Sequence, residues 1–67
     1  MRVLIRSERV RLGINQSELA DRLQVSERTV SHWETGRRFP DADKLLRLCE
    51  LFDCSADWLL GRTDRRD

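Results

Sequence analysis

One histidine, one proline, two cysteines and three glycines are spread over 67 residues, and each shortage closes off a class of protein. His32 stands far from Cys49 and Cys54, so no metal-ligand set of the usual spacing can be assembled. No Ser-His-Asp set or phosphate-cradling Gly-rich loop exists, and no side chain can be cast as a catalytic base with a partner. An enzyme is therefore not expected, nor is a cofactor. Two closely spaced cysteines cannot build a disulfide framework; they read as small apolar side chains of a reduced protein. No run of about 18 apolar residues is present to span a membrane. Arginines break up the one apolar run near the start, "MRVLIRSERVRLG", which excludes a secretory signal there. A cytoplasmic protein is the expectation.

The chain is long enough for one domain, near the lower size limit for folding without staples. Its net charge is only +1, but the charge is unevenly distributed. Residues 1–40 hold eight arginines against five acids, a balance of +3, whereas residues 41–61 hold two cations against five acids, a balance of −3. A basic half and an acidic half make a dipole that can orient the molecule on a polyanion; mixed charges that simply keep a small domain soluble are the plainer alternative.

Between the breakers at Gly13, "QVS" (24–26), Gly36, "FPD" (39–41), "DCS" (53–55) and Gly61, apolar residues recur at helical spacing. Ile5, Arg9 and Leu12 share one face of a first helix, which Gly13 ends. Asn15, with Glu18 three residues on, caps a second helix that buries Leu19, Ala20 and Leu23. Ser26 caps a third with Val30 and Trp33 inward, Asp41 a fourth carrying Leu45, Leu48, Cys49 and Phe52, and Ser55 a short last turn with Trp58, Leu59 and Leu60. No run reads as a strand, so the fold class is all-α. Residues 1–61 form the domain and 62–67 a short charged tail. Helices two and three meet at small Ala20, with Val25 anchoring the turn, as a helix-turn-helix requires.

The stretch "RVRLGINQSELADRLQVSERTVSHWETGRR", followed by "FPDADKLLRLCELFDCSADWLLG", resembles the DNA-binding domain of the phage repressor and Cro family, also called the Xre family. "INQSELA", "WETG" and "DWLLG" at family spacing carry the likeness, which covers residues 3–61. It implies a compact five-helix, lambda-repressor-like domain with the helix-turn-helix in helices two and three. It also implies a cytoplasmic, nucleoid-associated transcriptional regulator, a repressor by preference, of a prokaryote or phage. The sequence departs from the family at Gln24, where Gly is usual; a left-handed backbone there would cost about 1 kcal/mol.

A B-DNA major groove admits one helix and is read by residues near that helix's N-terminal end. Here these are Glu27, Arg28, Thr29, Ser31 and His32. Arg28 suits guanine O6 and N7, Glu27 a cytosine amine, and Thr29 a thymine methyl. The resemblance carries base contact most directly to Glu27, Arg28, Thr29 and His32. Phosphate contacts are expected from Asn15, Gln16, Ser26, Arg37 and Arg38, and more weakly from Arg6 and Arg11. Gln16 is also placed to buttress the recognition helix. The resemblance assigns Arg9 and Glu34 to a partly buried ion pair joining helices one and three. Trp33 belongs to the core, with its indole N–H near the groove edge. One recognition helix reads too few base pairs for specificity, so a weak or DNA-induced homodimer on a palindrome is expected, through helix five and the loop before it, with Trp58 and Leu60 as candidates. The competing reading is an antitoxin or protein-interaction module of the same fold. The six residues after Gly61 leave little room for a toxin-binding extension, and no small-molecule ligand is suggested.

Overall fold

The structure, a computed structural model, describes residues 4–66. These hold five helices and no strand: α1 (Ile5–Leu12), α2 (Gln16–Leu23), α3 (Glu27–Thr35), α4 (Ala42–Phe52) and α5 (Ala56–Leu59). None of these helices is long and apolar enough to cross a membrane.

Local chemistry explains the element boundaries. Asn15 accepts from the Glu18 N–H at 2.8 Å while the Glu18 carboxylate accepts from the Asn15 N–H at 3.1 Å, a complete capping box that starts α2. The Ser26, Asp41 and Ser55 side chains accept from the N–H groups of Thr29, Lys44 and Trp58, starting α3, α4 and α5. α2 ends at Gln24 in the left-handed region (φ 58°, ψ 43°), and α4 ends the same way at Asp53 (φ 53°). A side chain at such a position strains against the backbone, and glycine would relieve it.

Ile5, Leu19, Leu23, Val30, Leu48, Phe52 and Leu59 are fully enclosed, with Ala20 and Trp33 almost so. Each large side chain among them contributes about 1.5–3 kcal/mol by leaving water. α2 and α3 pack most extensively on each other; α1 lies against α3 and α4, and α4 also meets α2 and α5. Ala20, at 3 % exposure, is the small residue that allows the α2–α3 approach.

One expectation for α1 fails. Leu12 is 37 % exposed, while Glu8 is only 4 % exposed. The inward place goes to a carboxylate because four N–H donors from three side chains compensate its burial. Arg66 Nη2 meets Oε1 at 2.7 Å and Arg66 Nε meets Oε2 at 3.4 Å. Arg11 Nε donates to Oε1 at 3.1 Å and the Trp58 indole N–H to Oε2 at 3.2 Å. The same two arginines cap the C-terminus of α4: Arg11 and Arg66 both donate to the Phe52 carbonyl, and Arg66 also to that of Asp53 at 3.0 Å. Arg11 is thus engaged in the fold, with its side chain 47 % exposed. Arg66, in the charged segment after Gly61, is anchored against α1 and α4, and its carbonyl accepts from the Ser55 N–H at 3.0 Å.

Arg66 above all, with Trp58 and Arg11, holds the Glu8 carboxyl below its ordinary value of 4.5 against the opposing effect of burial. A carboxylate with a lowered folded pKa stabilises the fold fully above its unfolded value, and that stabilisation is lost as pH falls through the folded pKa. The Tm gap between wild type and Glu8→Gln should therefore be widest at neutral pH and narrow below about pH 4.5; a gap constant from pH 7 to pH 3 would mean that the charge contributes nothing. Gln24→Gly should raise stability in urea unfolding by up to about 1 kcal/mol by removing the left-handed strain, and an unchanged or lower midpoint would refute that assignment.

Candidate nucleic-acid interface

α3 owes its position to a buried carboxylate at its C-terminal end. Glu34 accepts from Arg9 Nε at 2.7 Å, from Arg9 Nη2 at 3.3 Å and from Gln16 Nε2 at 3.1 Å. The remaining Arg9 nitrogen, Nη1, donates to the Ile14 carbonyl at 2.9 Å, between α1 and α2. Side-chain exposure is 13 % for Arg9 and 5 % for Glu34, so water screens the pair little. One guanidinium and one amide therefore tie α1, the α1–α2 turn and the start of α2 to α3.

With Val30 and Trp33 buried and Glu34 anchored, the opposite face of α3 turns outward. Glu27 and Arg28 are exposed, and Thr29, Ser31 and His32 are half-buried beside them. These five make one continuous polar strip. Its members are held to different degrees. Ser26 Oγ and Thr29 Oγ1 lie 2.9 Å apart while Ser26 also receives the Thr29 N–H, so both hydroxyls are oriented within the first turn. The carbonyls of Ser31 and His32 accept from the Thr35 hydroxyl, at 3.1 and 3.4 Å.

The flanking groups divide by what the fold leaves them. The Asn15 oxygen is committed to its cap, which leaves the exposed amide nitrogen for another acceptor. Gln16 uses one N–H on Glu34 and keeps one. Arg37 and Arg38 are exposed, while their backbone N–H groups return to the His32 carbonyl at 2.9 and 3.3 Å. That return turns the chain sharply at the end of α3 and brings Arg38 back alongside it.

Sequence reasoning missed the groove that results. Arg28, Thr29, His32 and Arg38 line an open groove of about 590 Å³ together with Trp33, Phe39, Asp41 and Lys44. Phe39 is 54 % exposed, an apolar surface among cations. Lys44 was counted only as one of two cations in the acidic half; its position in the first turn of α4, three residues after the Asp41 cap, was the available signal. Its ammonium also lies 3.6 Å from the Asp43 carboxylate.

A helix locked from behind by a buried ion pair and presenting a polar strip edged by arginines defines a helix-turn-helix domain. The Helix-turn-helix family model HTH_3 matches residues 5–59, and the chain belongs to that family, in its phage repressor and Cro branch. The curated relatives it matches are named as transcriptional regulators and repressors. Among relatives, the HTH-type transcriptional regulator ImmR of Bacillus subtilis (strain 168) is 35% identical over 60 residues, covering 90% of this chain and 47% of that protein. Repressor protein C2 of Salmonella phage P22 is 38% identical over 56 residues, covering 84% of this chain and 26% of that protein. The chain spans about half the length, or less, of these curated relatives. The crystal structure of the P22 c2 repressor in complex with synthetic operator 9T matches with a TM-score of 0.83 at 32% identity, covering 94% of this chain and 100% of that one.

Removing Arg9 strands the Glu34 carboxylate. Arg9→Ala should cost about 3–5 kcal/mol in urea unfolding, comparable with the whole stability of so small a domain. Folding should fail before any selectivity changes, and a folded Arg9→Ala with near wild-type stability would contradict that role.

Proposed function

We propose that this chain is a sequence-specific, double-stranded-DNA-binding transcriptional regulator, a repressor by preference, that inserts α3 into the major groove. The observation that carries this reading is the strip Glu27, Arg28, Thr29, Ser31 and His32, displayed on a helix whose inner side is locked. The likeness to a repressor solved on operator DNA supports it. Arg28 offers a bidentate fork to guanine, and Glu27 accepts from cytosine N4. Thr29 gives its methyl to thymine, while His32, one turn beyond Arg28, donates or accepts according to its tautomer. Ser31 completes the strip. Asn15, Gln16, Ser26, Arg37 and Arg38 hold the phosphates on either side and set the register of the helix. Lys44 lies on the same groove and joins them.

The protein acts in this reading as a weak or DNA-induced homodimer on a palindromic operator, in the cytoplasm and on the nucleoid. Trp58 of α5 and Leu60 just after it, both half-buried in the single chain, supply the dimer contact. Asn15 and Ser26 keep their capping roles while bound, since each retains a further hydrogen-bonding position.

Selection from random-sequence duplexes at two salt concentrations tests the proposal. Wild type should enrich a palindrome. Arg28→Ala should lose about 1–3 kcal/mol and relax selectivity at one position of each half-site. Arg38→Ala should weaken binding to all sequences alike and lower the salt slope by about one. Salt-steep binding without an enriched sequence would reduce the strip to a generic polyanion face. No binding at all would transfer the role of the domain to a protein partner, as in an antitoxin or adaptor.

A further inference from the structure

The two cysteines, expected to be inert core residues, occupy a defined motif. α4 ends with Asp53 in the left-handed region; the Cys54 N–H bonds the Cys49 carbonyl at 3.1 Å and the Asp53 N–H bonds that of Glu50 at 3.3 Å. This is a Schellman ending, whose geometry brings the side chain four residues before the left-handed position against the one immediately after it. Those side chains are Cys49 and Cys54. Both thiols are free and half-buried, and together they line an open groove of about 400 Å³ beside Leu46 and Ser55. Disulfides demand converging Cβ vectors at close range, and a Schellman ending places these two side chains side by side through backbone bonds within their own stretch of chain. The turn is held independently by Arg66 on the Asp53 carbonyl.

We propose that Cys49 and Cys54 are a redox-active dithiol, closed to an intramolecular disulfide by low-molecular-weight disulfides and reopened by thiols. The bridge locks the last turn of α4 to the segment entering α5. Burial pushes both thiols up, Cys54 to about 11 with the charge of Cys49 adding to the effect, while a hydrogen bond from Cys54 opposes the rise at Cys49. The thiolate of one cysteine, written here for Cys49, attacks one sulfur of the reagent; that S–S bond breaks and a thiolate leaves, taking up a proton. Cys54 then loses its proton to solvent and attacks the Cys49 sulfur of the mixed disulfide, expelling the second thiol. The protein gives up two electrons and two protons, and the reagent disulfide takes both to become two thiols. This chemistry stands apart from the reading of α3 as a DNA-binding helix and is tested without DNA.

The full chain, reduced and then equilibrated with glutathione redox buffers at pH 8, is quenched by alkylation and read by intact mass and peptide mapping. Expected is one monomeric species two hydrogens lighter, with both cysteines protected from alkylation together and both recovered with dithiothreitol. C54S and C49S should each stop at a single glutathione adduct on the remaining cysteine. Glutathione adducts on both cysteines of the wild type, bridges between chains, or no reaction would each overturn the proposal. The wild-type peptide map decides even if either serine variant loses its helical circular dichroism.

Discussion

The whole arrangement turns on the Glu34 carboxylate. Apolar burial drives the helices together, but it is non-directional and tolerates sliding. Glu34 removes that freedom, because three donors from Arg9 and Gln16 converge on its two oxygens and each has a narrow range of length and angle. The fourth bond, from Arg9 to the Ile14 carbonyl, extends the constraint to the α1–α2 turn. The exposed strip of α3 therefore faces outward at an angle set by hydrogen bonds from two other helices.

α1 holds a second such constraint. Glu8 and Arg9 are adjacent, so they project about 100° apart on the helix and serve different neighbours. Arg9 reaches α3, whereas Glu8 gathers Trp58 of α5, Arg11 and Arg66. A helix of only eight residues thus links the recognition helix at one side to the C-terminal end of α4 and the chain's last described turn at the other. The two carboxylates are buried with full complements of partners, and among the described residues no buried side-chain polar atom lacks a partner. Such networks stay advantageous only while complete.

The same carbonyl-rich end of α4 that Arg11 and Arg66 cap also carries the cysteine pair. α4 has no basic residue of its own in its last turn, and cations favour a helix C-terminus; here they arrive from α1 and from beyond α5. The mixed charges of a small domain have, in this case, been drawn into specific jobs at both ends of α1.

Much of the fold was legible because it is local. Asn15, Ser26, Asp41 and Ser55 announce helix starts through bonds spanning three residues, and the spacing of Leu19, Leu23, Val30, Leu48 and Phe52 reports a buried face directly. The polar strip of α3 was legible for the same reason, as what remains once Val30 and Trp33 turn inward. Misreadings cluster where partners are distant in sequence. Leu12 was placed inward because an apolar residue outranks a carboxylate in any periodic pattern, and only Arg66 and Trp58, 58 and 50 residues away from Glu8, reverse that order. Lys44 was lost in an acidic half whose charges are averaged along the chain rather than in space. By itself the sequence determined the helices, their caps, their inner faces and the residue types offered by α3, since each depends on near neighbours. Only the tertiary structure decided that Glu8 is buried and which cations share the groove beside Arg28, because burial and convergence depend on what the rest of the chain brings to the same place.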